Sequence, residues 1–163
     1  MKGQYAIFRM KKYKGQTISL IEAHNERMKE AYASNPDIDI QRSKLNYHPI
    51  NPNGRYLGEV DKLIQSSGCR VRKDSVKMIE ALITASPEFF EGKKPREVKA
   101  FFDRALEFMK SKQAPDTYIS AVVHVDEKTP HMHFCFVPLT PDNRLSAKEI
   151  VGNKKKLTQW QDD

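Results

Sequence analysis

Three of the chain's five histidines lie between His124 and His133, in the stretch His124-Val125-Asp126-Glu127-Lys128-Thr129-Pro130-His131-Met132-His133-Phe134. An alternating run, Tyr118 to Val123, precedes it and an apolar run, Phe134 to Val137, follows. This pattern predicts two half-buried strands joined by a tight loop carrying Asp126 to Pro130. Side chains of a strand alternate between faces with period two. Tyr118, Ser120, Val122 and His124 therefore share one face, opposite Ile119, Ala121, Val123 and Val125. In the second strand His131, His133 and Cys135 share a face, opposite Met132, Phe134 and Phe136. With the apolar faces turned to a core, all three histidines emerge on one side, where antiparallel neighbours bring them within reach of a single ion.

Three neutral imidazoles form a borderline donor set that suits Zn, Mn, Co, Ni or Cu. Three protein ligands also leave positions open, as a catalytic metal requires. The competing reading is a set of surface or hydrogen-bonded histidines. Alternation puts Asp126 on the His124 face if the strand persists, whereas Glu127 lies in the turn. Either could ligate, orient a ligand from behind or act as a base, and Asp126 could equally cap the loop. Cys135 reads as a small buried residue on the histidine face.

At 163 residues the chain fits one domain with a proper core. Charged residues make up 30% and hydrophobic ones 39%, the balance of a soluble globular protein. No apolar run approaches the roughly 18 residues of a membrane span, and Met1-Lys2-Gly3-Gln4 lacks the apolar core of a signal peptide. Two cysteines, Cys69 and Cys135, make no disulfide framework, so a cytoplasmic location is expected. The net charge of +7 favours an anionic partner, nucleic acid or an acidic membrane surface. Basic residues gather at Arg9, Lys11, Lys12 and Lys14, at Arg70, Arg72 and Lys73, and at Lys154 to Lys156.

Taken in order, Gln4 to Met10 reads as a buried strand. A helix follows from Thr17 to about Ala33, capped by Thr17 or Ser19 and stopped by Asn35-Pro36. His24 and Arg27 share a face of it; by pattern alone His24 is a surface residue. Leu45-Asn46-Tyr47 predicts a short strand ended by Pro49, with His48 an ordinary loop residue. Arg55 to Ser66 predicts a helix closed by Gly68, and Val76 to Thr84 a strand, with helix as the alternative. Pro95 opens an amphipathic helix that reaches Lys112 with its aromatics in the core. Pro138 to Asn143 predicts a turn. Lys154 to Asp163 is helix-like and ends without a cap, which predicts a chain cut from a longer protein. The expected fold class is α+β, a central antiparallel sheet with helices on one face and the histidines on the other.

Several segments together resemble a known family. The hairpin H-V-D-E-K-T-P-H-M-H-F resembles the third motif of the MobV (Mob/Pre) plasmid mobilisation relaxases. His24-Asn25-Glu26-Arg27 is similar to their first motif, Leu45-Asn46-Tyr47 to their second, and Arg72-Lys73-Asp74 also fits. The similarity covers residues 1–163 in the expected order. It implies the His-hydrophobe-His nickase fold and a substrate that is one strand of a plasmid origin of transfer, presented as a hairpin with a single-stranded nick site. It also implies a C-terminal region beyond this chain, for dimerisation and membrane association, and no membrane contact by this part.

The resemblance further implies roles. His124, His131 and His133 would hold a divalent cation, Mn or Mg in use. His24 would be the nucleophile, leaving a 5′ phosphate joined to its imidazole and a free 3′ hydroxyl. Glu127 would orient or deprotonate it, Arg27 would position the DNA backbone, and Arg72 and Lys73 would contact the substrate unless they form only a solvated basic turn. Tyr47 is the rival nucleophile. Two other functions share these residues: a metal-dependent nuclease or phosphodiester hydrolase that uses activated water without a covalent intermediate, and a basic origin-binding module whose metal is structural.

Overall fold

The computed structural model describes residues 6–28 and 38–151. Five strands form one sheet in the order β1-β3-β5-β4-β2: β1 (Ala6–Tyr13), β2 (Tyr47–Ile50), β3 (Met78–Ala85), β4 (Tyr118–His124) and β5 (His131–Phe136). Every neighbouring pair is antiparallel. The expected hairpin is β4–β5, with His124 opposite His131 and Val122 opposite His133. β5 is therefore the central strand, enclosed by β3 and β4, which is why His133, Cys135 and their neighbours are buried.

The helices are α1 (Thr17–Asn25), α2 (Tyr56–Ser67), α3 (Pro87–Phe90), α4 (Pro95–Lys112) and α5 (Ala147–Val151). They cover both faces of the sheet, not one as the sequence predicted. On one face Phe8, Ile79, Ala81, Ile83, Ala121, Val123, Met132, Phe134 and Phe136 pack with Phe102 and Met109 of α4. On the other, Met78, Ile119, Cys135 and Val137 pack with Ile18 of α1 and with Tyr56, Val60 and Ile64 of α2. The histidine face is polar only at one end of β5. The apolar end must also leave water, so α1 and α2 lie across it and the histidines stay at their margin.

Alternation fails once in the hairpin. The register shifts between Tyr118 and Ser120, so Tyr118 joins the α4 side, edge-on to Phe134 at 5.1 Å, while Ile119 packs against α2. A bulge of this kind reverses the faces on one side of it. β2 runs through Pro49 to Ile50 because it is an edge strand, where a missing N–H is tolerated. Leu45 belongs instead to a 3-10 turn, Ile40–Leu45. α2 closes on Gly68 in the left-handed conformation (φ 69°), as its sequence predicts.

α1 begins at Thr17, with Gln16 in the cap position, and ends at Asn25 rather than near Ala33. Residues 29–37 lie outside the described residues, as do Gln4, Tyr5 and the helix-like Lys154 to Asp163. Among the described residues no helix is long and apolar enough to cross a membrane. Phe134 is fully buried at the centre of the larger core, so Phe134→Ala should lower the unfolding free energy by about 3–5 kcal/mol, read from the shift of the urea midpoint.

Candidate active site

The site forms where the end of α1 meets the open end of the β4–β5 hairpin. The rings of His124, His131 and His133 gather there, with centroids 5.2 Å apart for His124 and His131, 4.6 Å for His124 and His133, and 4.8 Å for His131 and His133. Each ring has one nitrogen turned toward a group that accepts a proton. His124 Nε2 lies 2.7 Å from the Asn25 carbonyl, and His131 Nδ1 lies 2.9 Å from the Thr129 carbonyl. A Glu80 carboxylate oxygen lies 3.2 Å from His133 Nδ1, a charge contact rather than an aligned hydrogen bond. Carbonyls only accept, so the first two contacts place the protons of His124 and His131 on their outer nitrogens. His124 Nδ1 and both ring nitrogens of His133 are buried and without a hydrogen-bond partner, and of the His133 pair Nδ1 is the one that faces the Glu80 charge. Buried, unpaired imidazole lone pairs held by outer acceptors are what a cation site requires, so the residues present fit a metal.

Two overlapping donor sets, His24 with His124 and His133, and His124 with Glu127 and His131, each have ligand atoms within 4.8 Å of one another. The set expected from the sequence overlaps both and coincides with neither. His24, expected from pattern alone at the surface, lies beside this cluster, its ring 5.9 Å from His133 and 6.1 Å from His124. His24, His131, His133 and Glu127 line a cavity of about 380 Å³, whose lining Lys11, Leu82, Thr84, Lys128 and Thr129 complete.

α1 stops where it does because its last turn is committed elsewhere. The Asn25 carbonyl, which would accept from the next turn of a continuing helix, accepts from His124 instead. Met28 N–H donates to the Ala23 carbonyl and Arg27 N–H to that of His24, the pair of bonds that defines a Schellman cap. Its left-handed position is usually glycine; here it is Arg27, at φ 51°. That conformation costs a non-glycine residue about 1–2 kcal/mol. The guanidinium offsets it by gripping the hairpin loop. Nε and Nη2 donate to the two Asp126 oxygens at 2.8 Å each, and Nη2 also donates to Glu127 at 2.7 Å.

Asp126, open between four roles in the sequence, is the hub of this corner. Besides Arg27 it accepts from Ser43 Oγ at 2.6 Å and Asn46 Nδ2 at 3.0 Å, while the Asn46 side-chain oxygen accepts from Val125 N–H at 2.8 Å. Burial pushes the Asp126 carboxyl up, but the bonds from Arg27, Ser43 and Asn46 outweigh it and hold the group well below the usual carboxylate range. Asn46 thus ties the second motif to the third.

Burial, the Arg27 charge and His133 hold His24 below its usual value, against the opposing pull of Glu127 and Glu80. Burial, then His133 and Arg27, push His124 far down; burial and His133 lower His131 as well. The site is built to keep these imidazoles neutral. Tyr47 stands on the other face: opposite Val123 and packed on the α4 core, it has its phenol raised to about 12 by burial and then Asp103. It lies on the α4 side of the sheet, away from the face that carries the histidines. Arg72 lies away from the histidines, in a groove of about 510 Å³ lined also by Lys12, Arg70, Arg144 and Lys148; Lys73 is exposed beside it. Sequence reasoning missed Glu80 and the part played by Asn25. A single carboxylate inside the apolar run Met78–Ala85 was the available signal for Glu80.

A five-stranded antiparallel sheet with a His-hydrophobe-His pair on its central strand and a third histidine opposite defines the His-hydrophobe-His nickase class. The sequence profile of the family described as plasmid recombination enzyme (Mob_Pre) matches residues 2–163, and the chain belongs to that family. It is 42% identical over 163 residues to a plasmid recombination enzyme type 3 of Staphylococcus aureus, covering 97% of this chain and 39% of that protein. With a plasmid recombination enzyme of Bacillus thuringiensis the identity is 35% over 161 residues, covering 98% of this chain and 36% of the relative. The chain therefore spans about two fifths of the curated relatives' length. Among solved structures it is similar to the MobM relaxase domain bound to plasmid pMV158 oriT DNA with Mn at pH 6.8, with a TM-score of 0.87 and 30% identity over 95% of this chain and 80% of that one. A Mn-bound structure of the same relaxase domain at pH 4.6 gives a TM-score of 0.84 at 29% identity, with the same coverage of both chains.

Two outcomes follow from these interactions. The Asp126 side chain is wholly buried and that of Arg27 is 9% exposed, so Asp126→Ala leaves a buried guanidinium with Glu127 as its carboxylate partner and should cost up to about 3–5 kcal/mol in urea unfolding. His24, His124 and His131 resist protonation in the fold, whereas in the unfolded chain they bind protons below about pH 6.5. The unfolded state then holds more protons, so stability falls as pH drops below about 6.5. Thermal melts of the metal-free protein should show a lower Tm at pH 5 than at pH 7.

Proposed function

We propose that this chain is the DNA-nicking part of a plasmid relaxase, cutting one strand of an origin of transfer and keeping the 5′ phosphate on His24. The observation that carries this reading is the placement of His24, a helix residue one hundred positions from His124, beside the clustered imidazoles on one cavity. MobM, of the same fold, is bound to oriT DNA with Mn, which supports DNA as the substrate and a divalent cation as the cofactor, Mn or Mg. His124, His131 and His133 would hold it, since each has its outer nitrogen facing an acceptor. Its contribution when bound is to offset negative charge on the scissile phosphate.

His24 acts as nucleophile. Held neutral by burial and by Arg27, it presents a nitrogen lone pair at neutral pH. A P–N bond forms as the P–O3′ bond breaks; the 3′ oxygen leaves and takes up a proton, and the 5′ phosphate stays on the imidazole. Glu127, on the same cavity, orients the ring and receives the proton that the attacking imidazole loses. Arg27 holds Glu127 and Asp126, and its charge faces the phosphate backbone. The adduct conserves the bond energy, so a 3′ hydroxyl can reverse the step and rejoin the strand. Arg72, with Lys12, Arg70, Arg144 and Lys148 in the basic groove and Lys73 beside it, contacts backbone phosphates further along the DNA.

With Mn and a labelled origin oligonucleotide, wild type should give a protein-linked 5′ product on a denaturing gel, and His24→Ala should give none while still binding the DNA. Cleavage persisting in His24→Ala without an adduct would assign the reaction to hydrolysis by water. The acid limb of the nicking rate should lie below pH 6.5, the direction in which His24 is displaced. Arg72→Ala should weaken DNA binding similarly for all sequences and reduce its salt dependence by about one phosphate contact.

A further inference from the structure

Asn25 is a buried residue, 1% exposed, that lies behind the site without lining the cavity. It reaches two of the three clustered histidines by separate routes. Its main-chain carbonyl accepts from His124 Nε2 at 2.7 Å. Its side-chain Nδ2 donates to Glu80 Oε2 at 2.8 Å, and that same oxygen faces His133 Nδ1 at 3.2 Å. Glu80 itself is 3% exposed, so its carboxylate depends on the few donors that reach it. The amide has only one workable orientation. Turned over, Asn25 Oδ1 would meet the Glu80 carboxylate, acceptor against acceptor. As it stands, Oδ1 is buried without a hydrogen-bond partner, a standing cost an apolar side chain would avoid. The donor to Glu80 is what that cost secures.

We infer that Asn25 is a positioning residue: it sets the ring orientation and the proton placement of His124 and His133, and thereby ties cation affinity to the helix turn that carries His24. The residue before it is the proposed nucleophile and the turn after it is the Arg27 cap, so the His124 acceptor, the donor to Glu80 and the attacking group share one backbone segment. A cation drawing on the lone pairs of His124 and His133 strengthens the outer N–H bond of His124 and the attraction of His133 Nδ1 for the Glu80 carboxylate. Both contacts converge on Asn25, one directly and one through Glu80. This rests on the metal site proposed above.

The test uses Mn²⁺ alone as probe, with affinity measured by calorimetry on wild type, Asn25→Ala, Glu80→Gln and the double variant. Each single change should weaken Mn²⁺ binding about tenfold or more, and the double should be no worse than the weaker single, because both act on one path. In the metal-free protein, imidazole ¹⁵N spectra should show His133 protonated on Nδ1, a preference lost in Asn25→Ala while His131 keeps its own. Should Asn25→Ala fail to fold, Asn25→Asp, of the same shape but lacking the donor, carries the same expectation, and the wild-type spectrum decides by itself. Mn²⁺ binding by Asn25→Ala equal to wild type, losses that multiply in the double variant, or His133 protonated on Nε2 in wild type would each overturn the inference. Absence of Mn²⁺ binding by wild type would instead overturn the metal site itself.

Discussion

The paired bonds from the Arg27 guanidinium to Asp126 hold the rest of the site in place. The two residues are 99 apart in the chain, one at the C-terminal cap of α1 and one in the hairpin loop. Both side chains are almost wholly removed from water. Desolvating two charges is expensive, and a pair of this kind contributes little net stability compared with apolar packing. Its effect is geometric. A planar guanidinium against a carboxylate fixes direction as well as distance, so the end of α1 has one place to sit. Ser43 and Asn46 meet the same carboxylate, and a third segment is locked in by the same charge.

Once that corner is fixed, its electrostatics divide the labour between groups that look alike. Asp126, saturated by donors, is an inert anchor, whereas Glu127 shares the same arginine but faces the cavity. Glu80, buried on β3, is kept ionised by His133, Asn25 and the charge of Lys11 despite its burial. The imidazoles experience the opposite balance: burial and one another's proximity hold His24, His124 and His131 unprotonated. Positive charge at the cavity wall comes from Lys11 and Lys128, while Arg27 stays buried against its two carboxylates.

The hairpin was legible because period-two alternation is a local property; it placed His124, His131 and His133 on one face without knowledge of any other strand. Its one failure, at Tyr118–Ile119, came from a bulge that pattern cannot register. The sequence overstates the length of α1 for a different reason. Nothing between Asn25 and Asn35-Pro36 breaks a helix, and the turn ends at Asn25 because its carbonyl, which a further turn would use, accepts from His124. Pattern leaves Tyr47 in contention because it adjoins Asn46; the extended backbone where the 3-10 turn gives way to β2 sends the two side chains to opposite sides, Asn46 to the Asp126 corner and Tyr47 to the α4 core.

The sequence by itself determined a basic α+β chain with a three-histidine hairpin, and its motifs were sufficient to recognise the family. It did so because strand alternation, helix periodicity and short motifs are written in neighbouring residues. Tertiary structure alone decided that helices cover both faces, that Arg72 lies in a groove apart from the histidines, and that His24 stands beside the hairpin. These are contacts between segments separated by dozens of residues, set by burial of apolar surface and by the few charges that must be paired when that surface closes.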